Sequence, residues 1–250
     1  MTTAERGAQG TVTRFFAEPL RDYVVHCTEK PVSLLQAGCL APLRQRGIGQ
    51  LTEDGFEISV TAVDADHPLV RRALEDAGTA YDDVLVGDLR TLPIPQRKYD
   101  VVYCVQLIER VQHVELVLDR LVSALKPGGL LLLRTGDRHS AAGLLDRLLP
   151  GPARKAIWSR LHPGIPGPFP AVFEKMVCDQ GIASYTVMRG LVIAARRAEM
   201  TLPDHPARLS SSVRITCAAI SRLTGGRFSN AHDELLYVIR KPQDRFARVV

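Results

Sequence analysis

The stretch that most constrains the fold of this 250-residue chain runs from residue 99 to residue 137, where the hydrophobic pattern changes twice. Residues 99–107 form a near-continuous apolar run rich in valine, which predicts a strand that is covered on both faces. Residues 113–125 then place apolar side chains at steps of three and four, which predicts an amphipathic helix. Another apolar run begins at residue 129. This order predicts a right-handed strand–helix–strand unit of a parallel sheet.

The same patterns recur along the rest of the chain and predict an alternation of strands and helices. The other strands are predicted over residues 32–37, 58–63, 83–86, 129–134, 191–195 and 233–240. The other helices are predicted over residues 11–27, 67–77, 153–161, 171–180, 182–189 and 206–223. Pro19 is expected to break or restart the first of these helices, and Asp66 is a plausible N-cap of the second.

The turn between the central helix and strand carries a family resemblance. Lys126 is expected in the last helical turn, Pro127-Gly128-Gly129 is expected to stop the helix, and leucines follow. The string YDVVYC, then the helix, then LKPGGLLLL resembles the fourth and fifth strands of class I S-adenosylmethionine-dependent methyltransferases. The resemblance covers roughly residues 30–140. It implies an α/β fold, a doubly wound, mostly parallel seven-stranded sheet whose last strand is antiparallel, with S-adenosylmethionine as cofactor.

Three turns offer the chemistry that such a cofactor needs, because ligands of a doubly wound sheet bind beyond the carboxyl ends of its strands. Gly38 allows close backbone approach, Asp64 can accept hydrogen bonds from a ribose diol, and Asp88 can accept from an adenine amino group. The resemblance gives these positions the same roles. The predicted cofactor-binding residues are Ala37, Gly38, Cys39, Asp64, Ala65, Gly87, Asp88, Leu89, Val105 and Gln106. Structural roles compete, since Asp64 could cap a helix and Asp88 could stabilise a turn.

The loop after the first strand departs from the family pattern of three alternate glycines. Only Gly38 stands at its place, while Leu40 is bulky and Pro42 lacks an N–H donor. A loop that returns the chain through Gly47 and Gly49 could restore the close approach of the backbone to the cofactor. These two could equally be ordinary turn glycines. The alternative to an enzyme is therefore a catalytically inactive protein of the same fold that serves as a binding or interaction module.

A methyl acceptor site is expected from the segment after the fifth strand. Residues 150–170 contain six prolines and are expected to form a loop or lid that shapes a pocket for a small, partly apolar acceptor molecule. His139 is the candidate catalytic base, with His162 and Tyr185 as alternatives. Glu109 and Arg110 replace the Glu-His pair often found in the family, which excludes a histidine-based role at position 110. The chain is expected to be one domain, residues 1–250, with a helical lead-in over 1–30 and a lid insertion over 138–190.

Composition limits the other classes of function and partner that the chain could have. The net charge is only +5, and no basic run interleaved with aromatic residues indicates a nucleic-acid partner. No apolar stretch of eighteen residues indicates a membrane span, and MTTAERGAQG does not resemble a secretory signal. The five cysteines lack zinc spacing, which predicts free thiols in a reducing cytoplasm and no metal.

Two other enzyme classes lack their sequence features in this chain. A dinucleotide oxidoreductase would need GxGxxG after the first strand, and RNA methylation would need an RNA-binding appendage. An open sheet edge could pair two subunits into a homodimer.

Overall fold

A computed structural model of the chain describes residues 3–27, 30–39, 54–161, 167–200 and 207–243. Seven strands form one sheet: β1 Val32–Ala37, β2 Ile58–Ala65, β3 Asp83–Gly87, β4 Tyr99–Val105, β5 Leu125–Gly136, β6 Val192–Glu199 and β7 Glu234–Arg240. Seven α-helices are described: α1 Thr3–His26, α2 Pro68–Ala77, α3 Val114–Ala124, α4 Ala141–Leu148, α5 Gly151–Leu161, α6 Asp179–Met188 and α7 Ala207–Leu223.

The order of the strands creates the crevice in which ligands of this architecture bind. The strands lie in the order β3-β2-β1-β4-β5-β7-β6, so the chain reverses its direction of travel across the sheet between β1 and β4. Strands β1 to β5 pair in parallel, and β7 is antiparallel to both of its neighbours. The predicted doubly wound, mostly parallel seven-stranded sheet with an antiparallel last strand is therefore confirmed. Its carboxyl edge at β1, β2 and β4 is the topological switch point.

The central strands of the sheet are buried on both faces, as the valine-rich runs predicted, whereas the edge strands β3 and β6 are largely exposed. Leu34 and Leu35 are neighbours in β1 that point to opposite faces, and both are almost fully buried. One face is covered by α1 through residues such as Phe16, and the other by α3 through residues such as Leu121. Burying each such side chain contributes about 1.5–3 kcal/mol to stability, so the two helix layers fix the strand ends in place.

Two predictions about helix ends are wrong, one because of a tertiary contact and the other because a neighbouring residue caps the helix. The central helix stops at Ala124, and Lys126 belongs to β5, where its Nζ lies 3.0 Å from the buried carboxylate of Asp100. A register irregularity between β4 and β5 accommodates the proline–glycine turn. The N-cap of α2 is His67, whose Nδ1 accepts from the N–H of Leu69.

Two further helix predictions are corrected by the structure. Helix α1 continues through Pro19 without a break. The predicted helix over residues 171–180 does not form, because its backbone bonds elsewhere: the N–H groups of Val172 and Phe173 both donate to the carbonyl oxygen of Glu109. Helix α6 starts only at Asp179 and continues past Gly181, where a Cβ would lie 2.3 Å from the oxygen of Met176.

Among the described helices, none combines the length and the apolar character that crossing a membrane requires. The strands at the two ends of the sheet are β3 and β6, and the homodimer remains a prediction that a single chain does not test.

Candidate active site at the carboxyl edge of the sheet

The ends of β1, β2 and β4 meet around a fully buried carboxylate, that of Asp64. Its two oxygens accept four hydrogen bonds from three directions. The N–H of Cys39 lies 2.8 Å from Oδ2, and the N–H of Ala65 lies 2.7 Å from Oδ1. The Arg110 Nη2 lies 2.8 Å from Oδ1 and 2.7 Å from Oδ2. Protein donors therefore occupy all four acceptor positions of the Asp64 carboxylate, including those that a ribose diol would use.

Arg110 is held in this position by three independent contacts. Besides its bonds to Asp64, its Nε donates to the carbonyl oxygen of Gln106 at 2.8 Å. The ring of Phe169 stacks against the guanidinium, with 4.6 Å between Arg110 Cζ and the ring centroid. The side chains of Arg110 and Asp64 are only 5% and 0% exposed. Removing either partner of such a pair would leave an uncompensated buried charge, so the two side chains stabilise each other in this position.

Gly38 is required here for packing as well as for conformation. Its φ is +95°, and a Cβ at this position would lie 2.1 Å from the carbonyl oxygen of Val105. The end of β1 therefore lies tightly against the end of β4.

Cys39, the next residue, is buried. Burial is the largest cause that raises the pKa of its thiol, and the neighbouring Asp64 carboxylate raises it further. The thiol stays protonated and is not a nucleophile at neutral pH.

A cavity of about 350 Å³ lies beyond the ends of β2 and β3, and we call it the β2–β3 cavity. Its lining includes Ala65, Asp66, Gly87, Asp88, Leu89 and Arg110. Leu89 is buried, whereas the Asp88 carboxylate is exposed and forms a bidentate ion pair with Arg90, whose Nη2 lies 2.7 Å from Oδ2. The hydrogen bonds from Arg90 lower the pKa of Asp88 to about 2. The carboxylate thus stays ionised and accessible as an acceptor.

A second cavity of about 190 Å³ lies beyond the ends of β4 and β5, and we call it the β4–β5 cavity. Its apolar wall consists of Trp158, Phe169, Pro170 and Phe173, all from the segment after β5. Arg110 lines this cavity as well as the β2–β3 cavity, so its side chain lies between the two. The segment predicted to shape an acceptor pocket therefore contributes the aromatic wall of this cavity.

Two arginines hold that aromatic segment over the strand ends. Arg154 forms an ion pair with Asp146, 2.6 Å from Nε to Oδ1, and also donates to the carbonyl oxygen of Phe169. Arg138 donates to the carbonyl oxygen of Phe173. These contacts place the two phenylalanines beside Glu109 and Arg110.

Glu109 is a titratable group of the β4–β5 cavity to which the sequence analysis gave no role. Its carboxylate oxygen Oε2 accepts from the Thr135 hydroxyl at 2.9 Å. Burial raises the pKa of Glu109 to about 7, and the Glu234 charge adds to this, while the Thr135 bond and the Arg110 charge oppose it. A carboxyl group that titrates near neutral pH can exchange a proton with a bound molecule.

The other predicted site residues lie at the strand ends, at the surface and in the core. Ala37 and Val105 are the last residues of β1 and β4, and Gln106 donates from Nε2 to Glu234 at 3.3 Å. His139 is exposed, does not line either cavity, and receives a hydrogen bond from Ser229 through its backbone oxygen. Tyr185 donates to Asp119 within the core, 2.9 Å away.

Part of the prediction falls outside the described residues. Leu40, Pro42, Gly47, Gly49 and His162 all lie there, so the proposed return of the glycine loop is not tested. Within the described part of the chain, no three His, Cys, Asp or Glu side chains come together in an arrangement that could hold a metal ion.

Three features of the site were not predicted from the sequence: Glu109, Phe169 and the role of Arg110 as the partner of Asp64. A signal existed for the first and third. An acid and a base in adjacent positions shortly after a buried strand point to different neighbours, which here are Thr135 in β5 and Asp64 in β2. Phe169 had no such signal, because its position depends on how a proline-rich segment crosses the sheet.

Comparisons with known proteins agree with this architecture. A family model described as Methyltransferase domain matches residues 35–133. The chain is 32% identical over 117 residues to a ubiquinone biosynthesis O-methyltransferase of Rickettsia bellii, a match that covers 46% of this chain and 46% of the relative. The matched region is therefore less than half the length of that relative.

Solved structures share the fold at low identity. The plantazolicin methyltransferase BpumL, in complex with a triazolic desmethylPZN analog and SAH, aligns with a TM-score of 0.56 at 13% identity and covers 93% of this chain and 86% of its own. An S-adenosylmethionine-dependent methyltransferase from Mesorhizobium loti aligns with a TM-score of 0.52 at 16% identity, covering 89% and 96%.

Proposed function

We propose that this chain, which carries a class I S-adenosylmethionine-dependent methyltransferase domain, binds S-adenosylmethionine at the switch point and methylates a small, partly apolar acceptor. The observation that carries the proposal is the pair of cavities on the two sides of Arg110. One has a polar rim with an ionised carboxylate, and the other has an aromatic wall. A polar nucleoside suits the first cavity and an apolar acceptor suits the second. The two molecules could then meet at one edge of the sheet.

The residues of the β2–β3 cavity fit the nucleoside half of the cofactor. Asp88 offers an accessible acceptor for an amino group, and Leu89 offers an apolar surface for a ring. The volume of about 350 Å³ is within the range of small-molecule sites. S-adenosylmethionine, when bound, supplies a methyl group that is already activated on a sulfonium.

The contribution of the protein is then to orient two molecules and exclude water. Holding reactants in line can supply about 7–11 kcal/mol of a barrier. The aromatic wall of Phe169, Phe173 and Trp158 would orient the acceptor and keep water from the β4–β5 cavity. Arg110 must leave Asp64 before that carboxylate can bind ribose hydroxyls, because protein donors occupy all four of its acceptor positions.

The same ion pair favours a second candidate function. A methyltransferase-like protein that never releases Arg110 would keep Asp64 permanently closed and would act as a binding or interaction module without catalysis. The two functions differ in one measurable property, since only the enzyme binds S-adenosylmethionine and transfers its methyl group.

Isothermal titration calorimetry with S-adenosylmethionine and S-adenosylhomocysteine tests the proposal. We expect micromolar binding that weakens at least tenfold in Asp88→Asn. This variant suits the test because Asp88 is exposed and the ion pair it loses contributes little to stability. Asp76→Asn, an exposed change on α2, is the control and should bind as the wild type does. Absence of heat with millimolar ligand would reject the enzyme and leave the binding module.

A further inference from the structure

Glu109 differs from Asp146 and Glu234, two of the other acidic side chains that line the β4–β5 cavity. Asp146 is paired with Arg154, and Glu234 is paired with Arg134, each at 2.6 Å. Glu109 accepts from the neutral hydroxyl of Thr135, and its ion-pairing neighbour in sequence, Arg110, is directed to Asp64 instead. Within the described residues, Glu109 is thus a cavity carboxylate with no cation bound to its oxygens.

The backbone of Glu109 fixes the side chain relative to the aromatic wall. Its carbonyl oxygen accepts from the N–H groups of Val172 and Phe173, at 3.0 and 2.9 Å. The segment that encloses the cavity is therefore anchored on the same residue that supplies the carboxylate. A molecule held between Phe169 and Phe173 would be confined within reach of that carboxylate.

The charge environment gives the carboxylate the proton affinity of a base that works near neutral pH. Burial is the largest influence on its pKa, Glu234 raises it further, and Arg110 and Thr135 lower it. Asp146, Asp233 and Arg154 are the other charged side chains of the cavity. A general base works best when its pKa is close to the operating pH, and enzymes reach this value for glutamate by burial.

We propose that Glu109 is a catalytic residue whose carboxylate removes the proton from a phenolic hydroxyl of the acceptor in the β4–β5 cavity. This inference rests on the proposed function. The acceptor oxygen bonds to the methyl carbon, the carbon–sulfur bond breaks with its electron pair remaining on sulfur, and the hydroxyl proton passes to Glu109. An aromatic hydroxyl suits both the aromatic wall and a carboxylate base, since a phenol is far more acidic than an aliphatic alcohol.

The only tryptophan of the chain, Trp158, lines this cavity and gives a direct readout of binding. We would titrate phenol itself into the cofactor-free protein and follow the fluorescence of Trp158 between pH 5 and pH 9. Phenol stays neutral over this range, so changes in its affinity report a protein group. We expect affinity to rise about tenfold as pH passes through about 7, because an ionised acceptor forms the stronger hydrogen bond.

Three variants make the result specific. Glu109→Gln should bind phenol with an affinity that does not depend on pH over this range. Thr135→Val keeps the carboxylate but removes its hydrogen-bond donor, so the midpoint of the wild-type transition should move to higher pH. Glu75→Gln, an exposed change on α2, should leave the transition unaltered. Circular dichroism confirms that each variant is folded.

Activity adds a second readout. With S-adenosylmethionine and a panel of phenols, Glu109→Gln should lower kcat about 10²- to 10⁴-fold while S-adenosylhomocysteine binds as in the wild type. A pH transition retained in Glu109→Gln, or no fluorescence change with phenol at any pH, would overturn the proposal. Failure of the proposed function appears separately, as absent S-adenosylhomocysteine binding with the phenol titration intact.

Discussion

The guanidinium of Arg110 donates to both carboxylate oxygens of Asp64, at 2.8 and 2.7 Å, where β2 and β4 end side by side. The pair is buried, and Phe169 covers the guanidinium. If Asp64 binds a ligand as proposed, this ion pair lowers the apparent affinity for that ligand. The apparent affinity is then the intrinsic affinity multiplied by the fraction of molecules in which the arginine has moved away.

Replacing Arg110 with methionine should therefore strengthen the binding of S-adenosylhomocysteine, by about tenfold or more. Methionine cannot occupy the acceptor positions of Asp64, and ribose hydroxyls would relieve a buried charge that is uncompensated in the apo variant. Calorimetry measures the affinity. Arg189→Met, which removes an exposed arginine bound to Asp119 and Glu115, serves as the control and should not change it. Weaker binding in Arg110→Met would mean that the arginine contacts the ligand.

A double-mutant cycle measures how much the same ion pair contributes to the stability of the protein, independently of ligand binding. Asp64→Asn and Arg110→Met should each destabilise the protein by about 3–5 kcal/mol, because each leaves a buried donor or charge without its partner. The double variant should lose less than the sum of the two, since neither charge remains. Urea denaturation of the four proteins gives the coupling energy. Additive losses would show that the two side chains do not stabilise each other.

The sheet was predictable because the local hydrophobic pattern of the sequence identifies its strands. Apolar runs such as the valine-rich residues 99–105 are buried on both faces, and burial of that kind leaves one placement for each strand. The positions of Gly38, Asp64 and Asp88 followed, since each directly succeeds or ends such a run. Position in the sheet could be inferred from sequence, whereas the partner of each side chain could not.

What the sequence did not predict depends on contacts between distant segments. Lys126 has the pattern of a helix end, yet the buried Asp100 binds it and draws the backbone into β5. Residues 171–178 have apolar residues at helical spacing, yet their N–H groups bond to Glu109 and their Glu174 carboxylate binds the N–H groups that start α3. In both places a polar group 26 or more residues away decides the local structure, and local spacing carries no information about it.

Gly38→Ala should destabilise the protein by more than about 3 kcal/mol, because the new Cβ meets both an unfavourable φ of +95° and the oxygen of Val105. Gly190→Ala is the matched control, since Gly190 also has a positive φ, +63°, but open space around the Cβ position. That variant should lose only about 1–2 kcal/mol. The difference between the two, measured by urea denaturation, reports how tightly β1 and β4 pack. Equal losses would show that the strand end can move aside.

The raised pKa of Glu109 predicts a characteristic pH dependence of stability. In the unfolded chain this carboxyl ionises near 4.5, and in the folded protein it ionises near 7, so between these values the folded state binds more protons. The free energy of unfolding must therefore fall as pH rises from about 4.5 to about 7, by about 3 kcal/mol from this group.

Glu109→Gln should remove that contribution, so its stability relative to the wild type should increase across this window and become constant above it. His232, whose pKa is raised by its hydrogen bond to Asp137, also loses stabilisation as pH rises, but it does so equally in both proteins. The wild-type-minus-variant difference therefore isolates Glu109, and Glu75→Gln should show no such difference. Because this linkage requires neither cofactor nor acceptor, a flat difference would reject the buried, proton-accepting carboxylate even if methyl transfer were observed.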